Sequence, residues 1–371
     1  MVIVINTIHF LSEEKEKYFI REVFSRIIRT HPKNQFIFIS ENDSALFSSS
    51  ENVTHINIGV APKNLLKFLV WFHLATKKIL KEYKADLFIS DELVSLITKT
   101  PQILISPDLS IIKSPDNLNR SHKRFYKKFT IRFLKKAKSI IVFSNYDAKL
   151  IKDNFKVESD KIHVIYYGTN YNIIPINSDE REVIKEKYAE GNEYFIYSGT
   201  ISPDKNLINL LKAFSSFKKR QRSSMQLIIA GNPGINYAQF VELHRLYKFN
   251  KEVKIFSDIS ASAIEKVMAA SYAMLSPSLH ESSAPELLKA MKCKIPVIAS
   301  SSGAMPELGA DAALYFNGEN YKDISEKIML IFKDENLRKE LIEKENEQVK
   351  RFDWNVSAEL LWEKIEWIKE S

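Results

Sequence analysis

Short apolar runs that alternate with helical patterns, twice over, constrain this chain more than any other feature. Val2–Ile5, Gln35–Ser40, Val53–Ile58, Asp86–Ser90, Gln102–Ser106, Ser139–Ser144 and His163–Tyr166 are rich in Ile, Val and Phe and mostly lack polar alternation. A strand with one wet face alternates; a strand without alternation is covered on both faces. Helical periodicity fills gaps between them at Glu13–Thr30, Leu65–Tyr83, His122–Ala137 and Tyr146–Asn154. Buried strands alternating with helices predict a parallel sheet sandwiched by helices.

The pattern breaks at Gly168–Asn177, where Gly, Asn, Pro and Tyr occur without period. Ser178 is expected to cap a charged helix running to about Ala189. Alternation then restarts, with strands at Tyr194–Ser198, Met225–Ala230, Val253–Phe256, Ala273–Ser276, Pro296–Ala299 and Ala313–Phe316. Helices are expected at Leu207–Arg222, Ala238–Lys248, Ala261–Ala270 and Glu286–Cys293, and the tail Ile324–Glu370 reads as almost wholly helical. The predicted fold class is α/β: two Rossmann-like, doubly wound domains facing across a cleft. Ligands of such sheets lie beyond the carboxyl ends of the strands. The expected boundaries are 1–172, 173–352 and a last helix at 353–371.

Composition agrees. The chain has 371 residues, 45% hydrophobic and 27% charged, which suits two domains with real cores and excludes global disorder. One cysteine, Cys293, excludes an internal disulfide framework and a four-cysteine zinc site. The longest apolar run, Phe68–Ala75, is too short to span a bilayer and contains His73. Met1–Asn6 lacks a basic leader, so a soluble, intracellular protein is expected. Charge is uneven: residues 1–170 hold 27 Lys/Arg against 17 Asp/Glu, and residues 171–371 hold 27 against 29. A positive first half suggests an anionic partner for that half.

Three segments of the second half have the make-up of ligand loops. Tyr197-Ser-Gly199-Thr200-Ile-Ser-Pro-Asp-Lys205-Asn206 leaves a strand and opens a helix. Gly199 lets a ligand near the backbone, and Lys205 sits where a helix start already favours an anion, such as a diphosphate. An ordinary turn with a solvated lysine is the alternative. Ala230-Gly231-Asn-Pro-Gly234 is glycine-rich in a chain with only 9 glycines, though it also reads as a plain turn. Ser276-Pro-Ser-Leu-His-Glu281-Ser282-Ser283-Ala284-Pro285-Glu286-Leu-Leu-Lys289 runs from strand through small residues into a helix with Pro at its first position. A carboxylate such as Glu281 at that edge can hold sugar hydroxyls or stabilise developing positive charge.

The run Pro277–Glu281, Leu288–Met291, Ile295–Ser300 and Gly303–Phe316 resembles the donor-binding region of the retaining glycosyltransferases of group 1, family 4, which have the GT-B fold. Gly199-Thr200 with Lys205-Asn206, Ser144–Asp147 and Val164–Gly168 are similar to further landmarks of that family. The resemblance is specific over about 190–317, weaker over 100–170 and slight before residue 100. It implies a nucleotide-diphosphate sugar held mainly by the second domain, a glycan or lipid-linked acceptor held mainly by the first, and a last helix that crosses back to the first domain. It implies neither metal nor cofactor, and this chain has no Asp-x-Asp pair. Retention is then explained without a protein nucleophile, the donor diphosphate taking the acceptor proton.

Position by position, the resemblance makes Lys205 the diphosphate lysine and Glu281 the first Glu of an E-x7-E motif. Ser282, Ser283 and Ala284 fall where N–H groups face the sugar and phosphate. Asp108 joins Glu281 as a catalytic candidate. Gly199, Thr200, Asn206, Gly231, Asp258, Pro285 and Lys289 complete the expected donor-binding set. The chain also departs from the family pattern. Lys289 stands where the second Glu would accept from ribose hydroxyls, and an ammonium only donates. Glu286, one turn earlier, is placed to pair with it or to substitute in part. Asp204 precedes Lys205 where a cation is usual, Pro107 replaces a His before Asp108, and Asn6–Phe10 has no glycine, leaving His9 as a lone histidine there.

Arg120–Lys138 sets Phe125, Phe129 and Phe133 on one helical stripe among cations. Lys123, Arg124, Lys127, Lys128 and Arg132 are therefore expected on an acceptor or membrane side, peripheral to a bilayer. The alternative places the Phe stripe in the core with solvated lysines. No nucleic-acid recognition motif accompanies the charge. The expected function is a retaining hexosyl transfer in surface polysaccharide or lipopolysaccharide biosynthesis, in the cytoplasm or at the inner face of its membrane. The alternative is a catalytically degenerate GT-B protein that binds a glycan or a partner enzyme.

Overall fold

The computed structural model describes residues 1–8, 15–41, 47, 50–90, 96–105, 129–169 and 175–370, without the side chains of 15–17 and 204. The chain forms two compact units, Met1–Gly168 with Asp353–Ser371, and Thr169–Phe352.

The first unit runs β1 (Val2–Asn6), α1 (Lys15–Thr30), β2 (Gln35–Ser40), β3 (Val53–Asn57), α2 (Leu65–Glu82), β4 (Leu87–Ser90), β5 (Gln102–Ile105), α3 (described over 129–136), β6 (Ser139–Val142), α4 (Asn145–Phe155) and β7 (Ile162–Val164). Its seven strands lie in the order β3-β2-β1-β4-β5-β6-β7, and every pair is parallel. The central strands β4, β5 and β6 are buried throughout, which is why their sequences show no alternation. The expected strand Ser139–Ser144 ends at Val142 because the Ser144 hydroxyl accepts from the Asp147 N–H and caps α4. Asn64 caps α2 in the same way, accepting from Leu66 and Lys67 N–H groups.

The second unit runs α5 (Ser178–Ala189), β8 (Tyr194–Ser198), α6 (Leu207–Gln221), β9 (Gln226–Ala230), α7 (Tyr237–Arg245), β10 (Val253–Phe256), α8 (Ala261–Ala270), β11 (Ala273–Ser276), α9 (Pro285–Lys292), β12 (Val297–Ser300), α10 (Met305–Gly309), β13 (Ala313–Phe316), α11 (Tyr321–Lys333) and α12 (Glu335–Gln348). Its six-stranded sheet has the order β10-β9-β8-β11-β12-β13, again all parallel. Phe195, Phe214, Phe217, Leu227, Ile298 and Ile328 belong to one core cluster between sheet and helices. The cap of α5 is Asn177 rather than Ser178, since Asn177 and Glu180 satisfy each other's backbone N–H in a capping box. Helix α7 stops at Arg245, short of the expected Lys248, because the Asn250 amide donates to the Arg245 carbonyl at 2.8 Å.

The helical tail is three helices. Asp334 ends α11 and caps α12 through the Leu337 N–H. A short turn, Val349–Arg351, then precedes α13 (Trp354–Glu370), which belongs to the first unit. Trp354 is fully buried there against Phe19 and Tyr167, with ring centroids 5.8 and 5.4 Å away. The Ser357 hydroxyl donates to the Tyr166 carbonyl at 2.8 Å, and Trp362 stacks on His31 at 3.7 Å. A Cβ on Gly168 would fall 2.4 Å from the Trp354 nitrogen, so this close approach requires glycine.

On α12, Glu345 is wholly buried, and its Oε1 accepts from the Val297 N–H at the start of β12. Burial raises its carboxyl well above the usual range, opposed by that hydrogen bond and by the Arg338 charge. The folded chain therefore holds this proton after the unfolded chain has lost it. Stability is fullest below the unfolded carboxyl's pKa and declines as pH rises from there through the folded value. Glu345→Gln removes that decline. Urea unfolding of both proteins across roughly pH 4–8 should show the wild type losing ground to the variant as pH increases; a constant difference would contradict the buried acid.

Candidate functional site

The strand order of the second sheet reverses between β8 and β11, so the connections after these two strands leave on opposite faces and open a crevice at their carboxyl ends. The loops at that crevice are residues 199–206, after β8, and 277–284, after β11.

The first loop is built around two glycines. Gly199 has φ 144° and Gly231, after β9, has φ 146°. The Gly199 N–H donates to Ala230 O, Ile201 N–H to Asn232 O and Gly234 N–H to Ile201 O, zipping the two loops together. A Cβ on Gly231 would lie 1.9 Å from the Gly199 carbonyl oxygen. Gly231 is thus required by the neighbouring backbone. Thr200 offers its carbonyl to the Tyr197 hydroxyl at 2.8 Å. A single 3-10 turn, Pro203–Lys205, then leads to Asn206 in the left-handed region at φ 60°.

Asn206 acts as a staple. Its amide donates to Pro277 O at 2.9 Å and Gly318 O at 2.8 Å, tying the loops after β8, β11 and β13 together. Both amide hydrogens are engaged, so its side chain holds the site's frame and has no donor left for a ligand. Asn209 adds a weaker bond to Gly318 O at 3.3 Å.

The second loop is held from below. Gly303, at φ 70°, lies so close that a Cβ would stand 2.8 Å from the Glu281 nitrogen and 2.9 Å from its oxygen. The Ala304 N–H donates to Glu281 O at 2.8 Å. Ala284 takes φ 35° and hands over to α9 at Pro285, the expected first helical residue. Among the described residues, the N–H groups of Ser282, Ser283 and Ala284 have no acceptor. Successive N–H groups in a small-residue loop at a helix start form a receptor for anionic oxygen.

Lys205 and Glu281, from opposite loops, meet directly: Nζ to Oε1 is 2.9 Å, with both side chains about one-fifth exposed. Behind them, Glu286 accepts from Lys289 Nζ at 3.2 Å and from the Ser198 hydroxyl at 3.1 Å. The spacing of Glu286 and Lys289 on one helical face indicated this pair; the participation of Ser198 did not show in the sequence. Asp258 is exposed beyond β10, the outer strand, with β9 between it and β8.

In the first unit, Arg132 is exposed with its guanidinium over the Phe129 ring at 5.6 Å, and Phe133 packs on the core beside Leu134 and Ile140. The described end of the Phe stripe is therefore partly core. His9, Pro107, Asp108, Lys123, Arg124, Lys127 and Lys128 lie outside the described residues. The sequence reading passed over Gly303, Gly318 and Asn209 as parts of the site's frame. Scarcity was the available signal: with 9 glycines in 371 residues, a glycine in a site loop is a candidate for a tight place.

Residues 178–348 match the family model of glycosyl transferases group 1, and residues 33–172 match that of Glycosyltransferase Family 4. The chain is 25% identical to O-antigen chain mannosyltransferase B of Escherichia coli over 67% of this chain and 65% of that protein, just under two thirds of its length. It is 24% identical to O-antigen chain mannosyltransferase RfbU of Salmonella typhimurium, over 86% of this chain and 84% of the relative. The fold matches the crystal structure of Anabaena Alr3699/HepE in complex with UDP and glucose, with a TM-score of 0.78, 16% identity and 99% of each chain covered.

Asn206→Ala removes the amide donors to the Pro277 and Gly318 carbonyls, leaving Gly318 O only the weaker Asn209 bond, and puts a residue without a side-chain hydrogen bond at φ 60°. It should lower the unfolding free energy by about 1–3 kcal/mol, and Asn209→Ala by less. Chemical denaturation of both variants measures the difference, and equal losses would remove Asn206 from its stapling role.

Proposed function

Because the chain belongs to the group 1 glycosyltransferases of family 4, we propose that it moves a sugar from a nucleotide-diphosphate donor to a glycan or lipid-linked acceptor, with retention and without a metal, in the building of a surface polysaccharide or lipopolysaccharide. The relatives named as O-antigen mannosyltransferases support the polymer class. The observation that carries the reading is the Lys205–Glu281 pair at the strand-order reversal, beside three N–H groups without acceptors among the described residues.

The chemistry follows from charge. A diphosphate offers Lys205 more negative charge than Glu281 does, so the ammonium exchanges partner while the N–H groups of 282–284 take the remaining oxygens. Glu281, released, turns its carboxylate to the sugar, accepts from hydroxyls and stabilises the positive charge that grows at the anomeric carbon. The bond from that carbon to the diphosphate oxygen breaks, the bond to the acceptor oxygen forms on the same face, and the acceptor proton passes to the departing diphosphate. Catalysis is then mostly positioning and electrostatics. The place of action is the cytoplasm, at the inner face of its membrane, where a lipid-linked acceptor would be met; no helix among the described residues is long and apolar enough to cross a bilayer.

A second reading rests on Lys289. It neutralises the Glu286 carboxylate and stands where the resemblance calls for an acceptor of ribose hydroxyls. That arrangement suits a chain that kept the fold without the chemistry. Calorimetric titration with UDP, GDP and dTDP decides between the two: tight binding of one supports the transferase, and no binding of all three supports the degenerate protein.

Two substitutions test the site itself. Lys205→Ala should weaken nucleoside diphosphate binding by about 1–3 kcal/mol, the scale of a charge-assisted hydrogen bond. Glu281→Gln should do the opposite for the diphosphate alone, since it removes the carboxylate that competes for the Lys205 ammonium, while cutting sugar transfer on the order of 10²-fold. If both variants bound nucleoside diphosphates like the wild type, the diphosphate would have to sit elsewhere.

A further inference from the structure

Helix α2 buries one face and leaves an unusual one in water. Phe68, Phe72, Thr76, Ile79 and Leu80 are buried against the sheet. On the far side, four residues apart and hence on one stripe, Leu66, Val70 and Leu74 are 70%, 60% and 62% exposed. Val60, in the segment leading into the helix, and Ile97, whose N–H donates to His73 Nδ1 at 3.4 Å, are more exposed still. A shallow groove of about 450 Å³ lies among Pro62, Leu66, Lys67, Val70 and Trp71. Scattered exposed aliphatics are ordinary; an aligned set beside an apolar groove marks a contact surface.

Among the described residues of α2 and its two flanks the charges are mostly of one sign. Lys63, Lys67, Lys77, Lys78, Lys81 and Lys84 are all exposed, and the helix itself holds a single acid, Glu82. At 100° per residue, Lys77 and Lys81 continue the line that Leu66, Val70 and Leu74 begin. Among the described residues none of these lysines has a carboxylate partner. A two-fold contact between copies of the chain would set these lysines against each other. A bilayer with anionic headgroups takes up the aliphatics and neutralises the cations together.

We propose that this face of α2 is the surface by which the chain lies on an anionic bilayer, with Leu66, Val70 and Leu74 entering the interface and Lys63, Lys67, Lys77 and Lys81 meeting headgroup phosphates. The surface differs from the basic segment 120–138 to which the sequence pointed. The inference deepens the transferase reading and rests on it only in making a membrane the place of work.

Flotation of the full chain with phosphatidylglycerol/phosphatidylethanolamine vesicles, and with phosphatidylcholine vesicles, tests it. The wild type should favour the anionic vesicles by about tenfold or more, an advantage that falls with salt. The triple variants Leu66→Ser/Val70→Ser/Leu74→Ser and Lys67→Ser/Lys77→Ser/Lys81→Ser should each lose about tenfold or more in binding, with unchanged circular dichroism. Lys135→Ser/Lys136→Ser/Lys138→Ser should bind like the wild type. Wild-type flotation by the aliphatic triple, loss of flotation in the Lys135 triple instead, or a wild-type dimer by light scattering that the aliphatic triple dissolves would each overturn the proposal. Nucleotide titration in vesicle-free buffer keeps the readings apart: flotation as described without nucleotide binding leaves the surface standing and removes the transferase.

Discussion

An all-parallel sheet whose strand order reverses has one place where its connections part, and the chemistry of the second unit is organised around it. The reversal falls between β8 and β11. Loops leaving these strands diverge to opposite faces, which opens a crevice at the carboxyl ends of the strands. Lys205 comes from one loop and Glu281 from the other, and their 2.9 Å ion pair spans the gap. The two residues are 76 positions apart in sequence. The sheet order, rather than any local motif, makes them neighbours.

A site built on loops needs a rigid frame, and here the frame is made of backbone approaches that only small residues allow. Gly231 presses on the carbonyl of Gly199, and Gly303 on the backbone of Glu281. Asn206 joins three loops through one amide. These contacts place Lys205 and Glu281 opposite each other on two loops that are tied to their neighbours through the backbone. Glu286, held by Ser198 and Lys289, adds a second charge pair on the first turn of α9. Preorganised charge of this kind gains strength where water is scarce, since the frame need not rearrange as charge develops.

Several elements were legible residue by residue. The bounds of β8, β10, β11, β13 and α8 match their sequence patterns, because buried strands and amphipathic helices write their period into the chain. Errors cluster at ends, where side chains and not periods decide. Ser144 reads as strand until its hydroxyl is seen capping α4, and α7 ends early because Asn250 reaches back to Arg245. In the site, residue types were readable as candidates and their use was not. Asn206 and Gly231 serve the frame, through the Asn206 amide and the close approach of Gly231 to Gly199, while Gly303 packs on the Glu281 backbone and the Ser198 hydroxyl donates to the Glu286 carboxylate, contacts that the sequence did not show. The basic character of the first half was plain from counting charges, but the count does not say which helix shows apolar side chains beside its lysines.

Alone, the sequence determined the two wound sheets, the loops that leave them, and the family to which residues 178–348 and 33–172 belong. It did so because burial and backbone geometry are local demands, met by residues close together along the chain. The tertiary structure decided who meets whom: Lys205 with Glu281, Asn206 with Pro277 and Gly318, Trp354 with Gly168. It also decided which face of α2 stays in water. Those outcomes depend on strand order and on the packing of distant segments, and no periodicity within a single segment records them.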